Sequence, residues 1–482
     1  TQPPGDILVF LPGQEDIEAT EEALRARVRA LGARVGTEVA ELLVLPVYAN
    51  LPAEAQARIF EPTPEGARKV VLATNIAETS LTINGITFVI DPGLCKQKGY
   101  NPQTGVEALA VVAVSKASAQ QRAGRAGRVA PGKCFRLYTA QFFANDLEEN
   151  TVPEIQRTNL CSVVLLLLSL GLTDIVHFDF MDPPPPETLI RALELLYALG
   201  ALDSTAALTR LGRRMADLPL DPMLAKAMLA SEKYGCVGPV ITVCAMLSVG
   251  GSVFYRPKDQ ALHADAAHRA FWHPRGDHLT LLDVYEQWEE SGFDGGWCRE
   301  RYVQARTMAK AKDIRTQLVS MCAKVDIDEH AGAEAAVEAG AAPSAASTPL
   351  EVRIRKAITA GFFYNTARLE SDGEYKTFKL KQHVKIHPSS CLAPKKPTRP
   401  GQQPQTGAGG MPLPGGELAE TRPPPMWVVF FELVKTAHEY MRQVLEIEPA
   451  FLAQVAPHYY ARAEQAQNAK GSRGPNAKAR TR

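Results

Sequence analysis

The amino-acid sequence predicts a multidomain α/β plus α plus β chain, and three observations carry that prediction. Short apolar runs alternate with helical stretches over residues 1–140, the pattern of strands buried on both faces by crossover helices. From about 150 to 325 the apolar spacing turns helical, with proline breaks at Pro183–Pro186, Pro219 and Pro222. Near Val352 a β-rich pattern begins. The length of 482 residues suits such a division into several domains.

Taken in order, "GDILVFLPG" is a buried strand closed by Pro-Gly, and "GQEDIEATEEALRARVRAL" a helix with an acidic first turn. "ELLVLPVY", "KVVLATN", "TFVIDPG" and "KCFRLYT" read as further core strands. Ligands in open α/β sheets gather at the carboxyl ends of strands, where "LATNIAETS" and "VIDPGL" fall. Residues 86–114 hold two extended stretches around an Asn-Pro/Thr-Gly turn, which predicts a β-hairpin. "ETLIRALELLYALGAL" is an amphipathic helix and "SVVLLLLSLGL" a buried core helix, too short to span a bilayer. Residues 329–350 are alanine-rich low complexity and predict a linker. "ITAGFFYNTARL", "YKTFKL" and "HVKIHPSS" read as β-rich, with Phe362 and Phe363 suited to the core and a stacking ring as the other use of this stretch. A loose insertion follows from Ala393, then "MWVVFFELV" and a basic tail containing Lys470, Arg473, Lys478, Arg480 and Arg482.

Lys plus Arg and Asp plus Glu are equal at 53 each. A whole-chain basic field is therefore excluded, and any nucleic-acid site must be a local groove. The eight cysteines (Cys95, Cys134, Cys161, Cys236, Cys244, Cys298, Cys322 and Cys391) form no close pair and read as free thiols in a reducing compartment. His263, His268, His273 and His278 match no closed zinc spacing, so no metal site is expected. No signal peptide is read at the start.

Gly127, Gly132 and Lys133 imitate a phosphate loop, but Cys134 stands where Ser or Thr would hold magnesium. The segment also leads into a strand rather than a helix. Arg122, Arg125 and Arg128 recur every third residue between Ala and Gly. On a helix they would share a broad face. Arginine forks suit phosphate oxygens and charge developing on a γ-phosphate; a solvated basic helix fits the spacing equally well.

The set "LPGQEDIE", "ATNIAETSLTI" and "QRAGRAGR", in that order and spacing, resembles motifs IV, V and VI of DEAH-box RNA helicases. "MLSVGGSVFYRPKDQALHADAAHRAFWHPRGDHLTLLDVYEQW" resembles the helical domain of the spliceosomal members. "ESGFDGGWCRERYVQARTMAKAKDIRTQL" is most similar to the member that remodels the activated spliceosome before the first catalytic step. The resemblance implies a second RecA-like P-loop NTPase domain over 1–145, a winged helix over 146–216, and a helical ratchet-like bundle over 217–328. It further implies the 329–350 linker, an OB-fold over 351–458 with a flexible insertion at 393–420, and a disordered tail over 459–482.

It also implies roles. Arg125 and Arg128 would be arginine fingers and Gln121 would position the γ-phosphate or attacking water. Phe60 would stack on adenine, though a bare aromatic there equally suits a core. Ser80 would sense the nucleotide state. ATP with Mg2+ would be bound mainly by a first RecA-like domain absent from this chain, which alone would be inactive. Thr74 and Asn75 would grip the RNA backbone, with a helix N-cap as the other use of either. Lys96, Lys98, Arg275, Lys381, Lys385, Ser389 and Ser390 would add RNA contacts, and the hairpin would act as a wedge. Expected partners are single-stranded pre-mRNA, spliceosomal proteins and a G-patch activator, in the nucleus, with the chain a monomer and no membrane involved. A non-catalytic docking platform, or the same portion of a ribosome-biogenesis or messenger-release helicase, stays open.

Overall fold

The computed structural model describes residues 3–35, 41–48, 51, 53–128, 131–257, 260–328, 348–394, 423–435 and 438–457. The alanine-rich segment over 329–347, nearly all of the insertion and the basic tail lie outside the described residues.

The five apolar runs form one parallel sheet: β1 (Asp6–Phe10), β2 (Leu42–Val47), β3 (Arg68–Ala73), β4 (Ile86–Asp91) and, after a hairpin, β7 (Lys133–Arg136). Their order is β2-β3-β1-β4-β7, each pair parallel. The central strands are apolar on both faces because helices cover them; Val71, Leu72 and Ala73 are fully buried. Helix Gln14–Val35 opens with Glu15 and Asp16, where carboxylates meet the positive end of the helix dipole.

The hairpin is shorter than the 86–114 span the sequence suggests. Ile86–Asp91 is an inner strand of the parallel sheet, and the hairpin proper is β5 (Leu94–Asn101) with β6 (Val106–Ala113). Asn101 Oδ1 accepts from the Gln103 and Thr104 amides, and Gly105 takes the left-handed conformation (φ +69°) that closes the turn.

Among the helices, Cys161–Ser169 is only half-buried: Val164, Leu165 and Leu168 enter the core, while Leu166 and Leu170 are 53% and 69% exposed. Its largely apolar composition hid this, because hydropathy alone does not say which face a neighbour covers. Helix Pro222–Tyr234 starts at Asp221, whose carboxylate accepts from the Met223 amide, and stops at left-handed Gly235. It packs against helix Leu350–Phe362. This second helix corrects the β-rich expectation from Val352. Ile354, Ala357, Ile358 and Phe362 follow helical rather than alternating spacing, and all are buried. Gly361 permits the contact: a Cβ there would sit 2.2 Å from the Met223 carbonyl oxygen.

The last strands close a barrel. β8 (Thr366–Leu369), β9 (Tyr375–Thr377), β10 (His383–Ile386), β12 (Glu439–Glu446) and β11 (Trp427–Lys435) pair in that order, and β11 returns to β8. Further along the edge that meets β8, β11 pairs in parallel with β6, Val434 opposite Glu107 and Lys435 opposite Ala108. The hairpin is thus joined to the barrel as well as to the parallel sheet.

The helical region meets the barrel at Arg275–Asp277. Gly276 lies against the Val444 carbonyl with φ +132°. The Asp277 carboxylate accepts from the Cys391 and Val444 amides, both at 2.8 Å. His278 follows, fully buried, its ring 6.3 Å from that of Phe362 and both nitrogens unpartnered. Burial pushes its pKa down to about 3.

Two outcomes are expected. Gly361→Ala should destabilise the chain by ~1–3 kcal/mol in chemical denaturation, against the ~1 kcal/mol gain that helix propensity alone gives. His278 is held neutral when folded, so its contribution is present above the unfolded pKa near 6.5. That contribution is lost at up to ~1.4 kcal/mol per pH unit as pH falls toward 3. His278→Leu should flatten this acid limb relative to wild type in denaturation series at pH 7.0, 6.0 and 5.0.

Candidate nucleotide and nucleic-acid faces

Helix Lys116–Gly124 starts at Ser115, whose hydroxyl accepts from the Ser118 amide, and runs into a 3-10 turn, Arg125–Gly127. The three arginines do not share one exposed face. Arg122 is 1% exposed. Its Nη1 donates to Asp91 Oδ1 at 2.8 Å and to the Leu94 carbonyl at 3.1 Å, and its Nε donates to Glu78 Oε2 at 3.1 Å. The guanidinium carbon lies 4.7 Å from the centre of the Phe10 ring. Glu78 also accepts from the Ser118 hydroxyl at 2.5 Å, and Asp91 from Tyr138 at 3.2 Å. Arg122 is therefore a structural tie between the ends of β1 and β4, the start of β5 and the short helix Ile76–Thr79.

Beyond this tie the chain turns and releases the other two arginines. Arg125 Nη1 donates to the Leu81 carbonyl at 3.2 Å, and Arg128 donates to the Thr82 hydroxyl. Arg128 and Gln121 are exposed and Arg125 half-buried. Burial first, then the like charge of Arg128, lowers the Arg125 pKa, but a guanidinium stays charged at neutral pH. Ser80 precedes Leu81 and is exposed. Phe60 is 53% exposed, which removes the core alternative. It follows buried Ile59, whose carbonyl accepts from Lys69 Nζ at 3.0 Å near the start of β3. Ile59, Ala77, Ile83 and Ala126 share one apolar cluster, so the segments bearing Phe60, Ser80 and the arginine pair are backed by common packing.

A second group sits at the opposite, carboxyl edge of the sheet. Thr74 and Asn75 directly follow β3, and the Leu11 amide donates to the Ala73 carbonyl at 2.8 Å beside them. Asn75 is exposed and its side chain makes no capping bond; the N-cap alternative is not realised. Lys96 reaches over the turn after β1, where a Cβ on Gly13 would meet its Nζ. Lys98 pairs with Glu107 at 2.5 Å.

Several expected RNA contacts have other engagements. Arg275 holds Glu351 and Glu446, each at 3.2 Å, and so ties the helical region to the barrel. Ser390 is buried at 3% exposure and its hydroxyl accepts from the Leu392 amide, which takes its side chain out of any surface contact. Ser389 is exposed and bonded to His387 Nδ1. Lys385 is exposed on β10, and Lys381 stacks on Phe378 at 5.0 Å. His268 and His273 serve backbone groups, at Tyr302 and Arg275. Sequence reasoning missed Arg122 as a buried tie; Asp91 at the end of β4 and Glu78 on the short helix after β3 were the signal.

The parallel sheet thus bears arginines toward one end and short polar residues at the other, and it is joined to helices and a closed barrel. Four family models match successive parts of this arrangement. The helicase conserved C-terminal domain matches residues 1–130, and the helicase-associated winged-helix and ratchet-like domains match 192–220 and 221–281. The oligonucleotide/oligosaccharide-binding fold matches 354–459. These are the C-terminal domains typical of DEAH/RHA-family helicases, ATP-dependent RNA-remodelling motors.

Arg122→Met should cost ~3–5 kcal/mol, because Asp91 and Glu78 would stay buried without their cation. Arg125→Ala should cost ~1 kcal/mol or less. Urea denaturation of both variants checks the contrast.

Proposed function

We propose that the chain is the C-terminal part of an ATP-dependent RNA helicase acting in pre-mRNA splicing in the nucleus. The splicing assignment is supported by the helical-region stretches from Met246 to Trp288 and from Glu290 to Leu318. The motor assignment is carried by one observation: Arg125 and Arg128 stand toward one edge of a rigid sheet, and Thr74 and Asn75 at the other.

Arg125 and Arg128 suit the far side of a nucleotide held by a first RecA-like domain, with Phe60 offering a ring for the base. Mg2+ would be held with ATP mainly by that other domain. ATP supplies the energy of closure when bound. In this chain, the arginines would reach across the cleft to developing phosphate charge, and Gln121 would orient the attacking water. Thr74, Asn75 and Lys96 would hold RNA by its backbone, which requires donors but no base recognition. Because Arg122 fixes both groups to one body, closure at the nucleotide edge would move the RNA-gripping edge with it. A G-patch activator is supported by exposed apolar side chains of the winged-helix region, Leu166, Leu170, Ile190 and Tyr197. The chain is proposed to act as a monomer.

The test is RNA-stimulated ATP turnover by this chain mixed with a separately made first RecA-like domain. Restored turnover that falls ~10³-fold or more in Arg125→Ala, with RNA affinity within about threefold, is the expected result. Turnover indifferent to Arg125 would reject the proposed role.

A further inference from the structure

A cleft of about 280 Å³ lies where hairpin, winged-helix region, ratchet helix and barrel meet. Its lining includes Tyr100 from β5, Arg191 from helix Pro186–Ala198, Asp221 from the cap of helix Pro222–Tyr234, and Tyr364 and Lys379 from the barrel region. Arg191 and Lys379 both stack on Tyr364, at 5.2 and 4.3 Å from its centre. Lys379 also donates to the Tyr364 hydroxyl, and Arg191 acts on the Tyr100 hydroxyl, partly offsetting the rise that burial gives its pKa.

The cleft's lining carries as many acids as bases, but around Tyr364 the charges do not balance. Glu107 is held by Lys98 at 2.5 Å and Glu432 by Arg442 at 2.9 Å. Asp221 keeps its own carboxylate, which accepts from the Met223 amide, but the charge that acts on it is Glu107 rather than Arg191 or Lys379. That leaves Arg191 and Lys379 sharing one carboxylate, Glu194, at 3.5 and 3.6 Å, and Glu194 is 55% exposed. Burial, then the nearby Arg191, pulls the Lys379 pKa down. On the same wall, Gln382 Oε1 is buried without a partner.

We infer that Arg191 and Lys379, with the Tyr100 and Tyr364 hydroxyls, form a phosphate-binding site at this four-way junction. A tetrahedral oxyanion accepts from a guanidinium fork, an ammonium and two hydroxyls at once, and it would offset the charge that Arg191 and Lys379 carry in excess of Glu194. A protonated hydrogen-phosphate oxygen can in turn donate to Gln382 Oε1. Because the donors come from three regions, occupancy would fasten the hairpin to the winged-helix region and the barrel. Two sources carry such a phosphate, a free phosphate-bearing molecule and the backbone of bound RNA. The inference stands apart from the splicing assignment and from ATP chemistry.

The probe is inorganic phosphate, added to the full chain against chloride at matched ionic strength. Wild type should melt about 2–4 °C higher at saturating phosphate. Lys379→Gln and the milder Arg191→Lys should each lose most of this shift, while Arg125→Ala retains it. A parallel titration with single-stranded oligouridine separates the sources. An RNA phosphate in the site gives several-fold weaker binding in Lys379→Gln and competition by inorganic phosphate. A free phosphate leaves RNA affinity unchanged while the thermal shift is lost. An equal shift in all variants, or none in wild type, overturns the inference.

Discussion

The buried Arg122 guanidinium is the interaction on which the rest of the structure depends. Removing a cation from water costs several kcal/mol, and the cost is offset only when every donor finds a well-placed acceptor. Arg122 answers that cost with two carboxylates, a backbone carbonyl and an aromatic face. The acceptors come from parts of the chain far apart in sequence. They meet only when β1 and β4 are aligned, β5 has begun and the Ile76–Thr79 helix is in place. A hydrophobic residue of the same volume would fill the space without requiring this arrangement. We regard specificity rather than net stability as what the ion pairs contribute.

The neighbouring features inherit their positions from it. With Arg122 inside, the helix must present its following turn outward, and Arg125 and Arg128 fall against Leu81 and Thr82. With Leu94 fixed, the hairpin leaves the sheet in one direction and reaches β11 of the barrel. The barrel is fastened in turn to the helical region through Arg275, Gly276 and Asp277. A continuous set of strands and ion pairs thus connects the arginine pair to the far end of the molecule. Such continuity is what a motor needs if closure at one edge is to be felt at the other.

Much of the parallel sheet was legible in the sequence, because a strand buried on both faces is written as an uninterrupted apolar run such as "KVVLA". The closed barrel was less so. Its first helix, Leu350–Phe362, ends in Gly361 and Phe362 and is capped by Phe363, and local composition there suggests strands. Only spacing across the whole segment, and a partner helix at Met223, decides for helix. At the site, exposure was the unreadable variable. Arg122, Arg125 and Arg128 are chemically identical and evenly spaced, and only the position of Glu78 and Asp91 in space makes the first an anchor. Arg275 and Ser390 were likewise read as surface groups, and their partners Glu446 and Leu392 were invisible to one-dimensional spacing.

The most direct test of the central claim is native-state hydrogen exchange of the whole chain with Arg122 and with Arg122→Lys. A lysine keeps the charge but cannot reach Glu78, Asp91 and the Leu94 carbonyl together. If Arg122 ties these segments into one body, amide protection should fall together over residues 76–79, 94–101 and 116–127. Loss confined to residues 116–127, with the other two segments unchanged, would show that the sheet and hairpin hold their places without it.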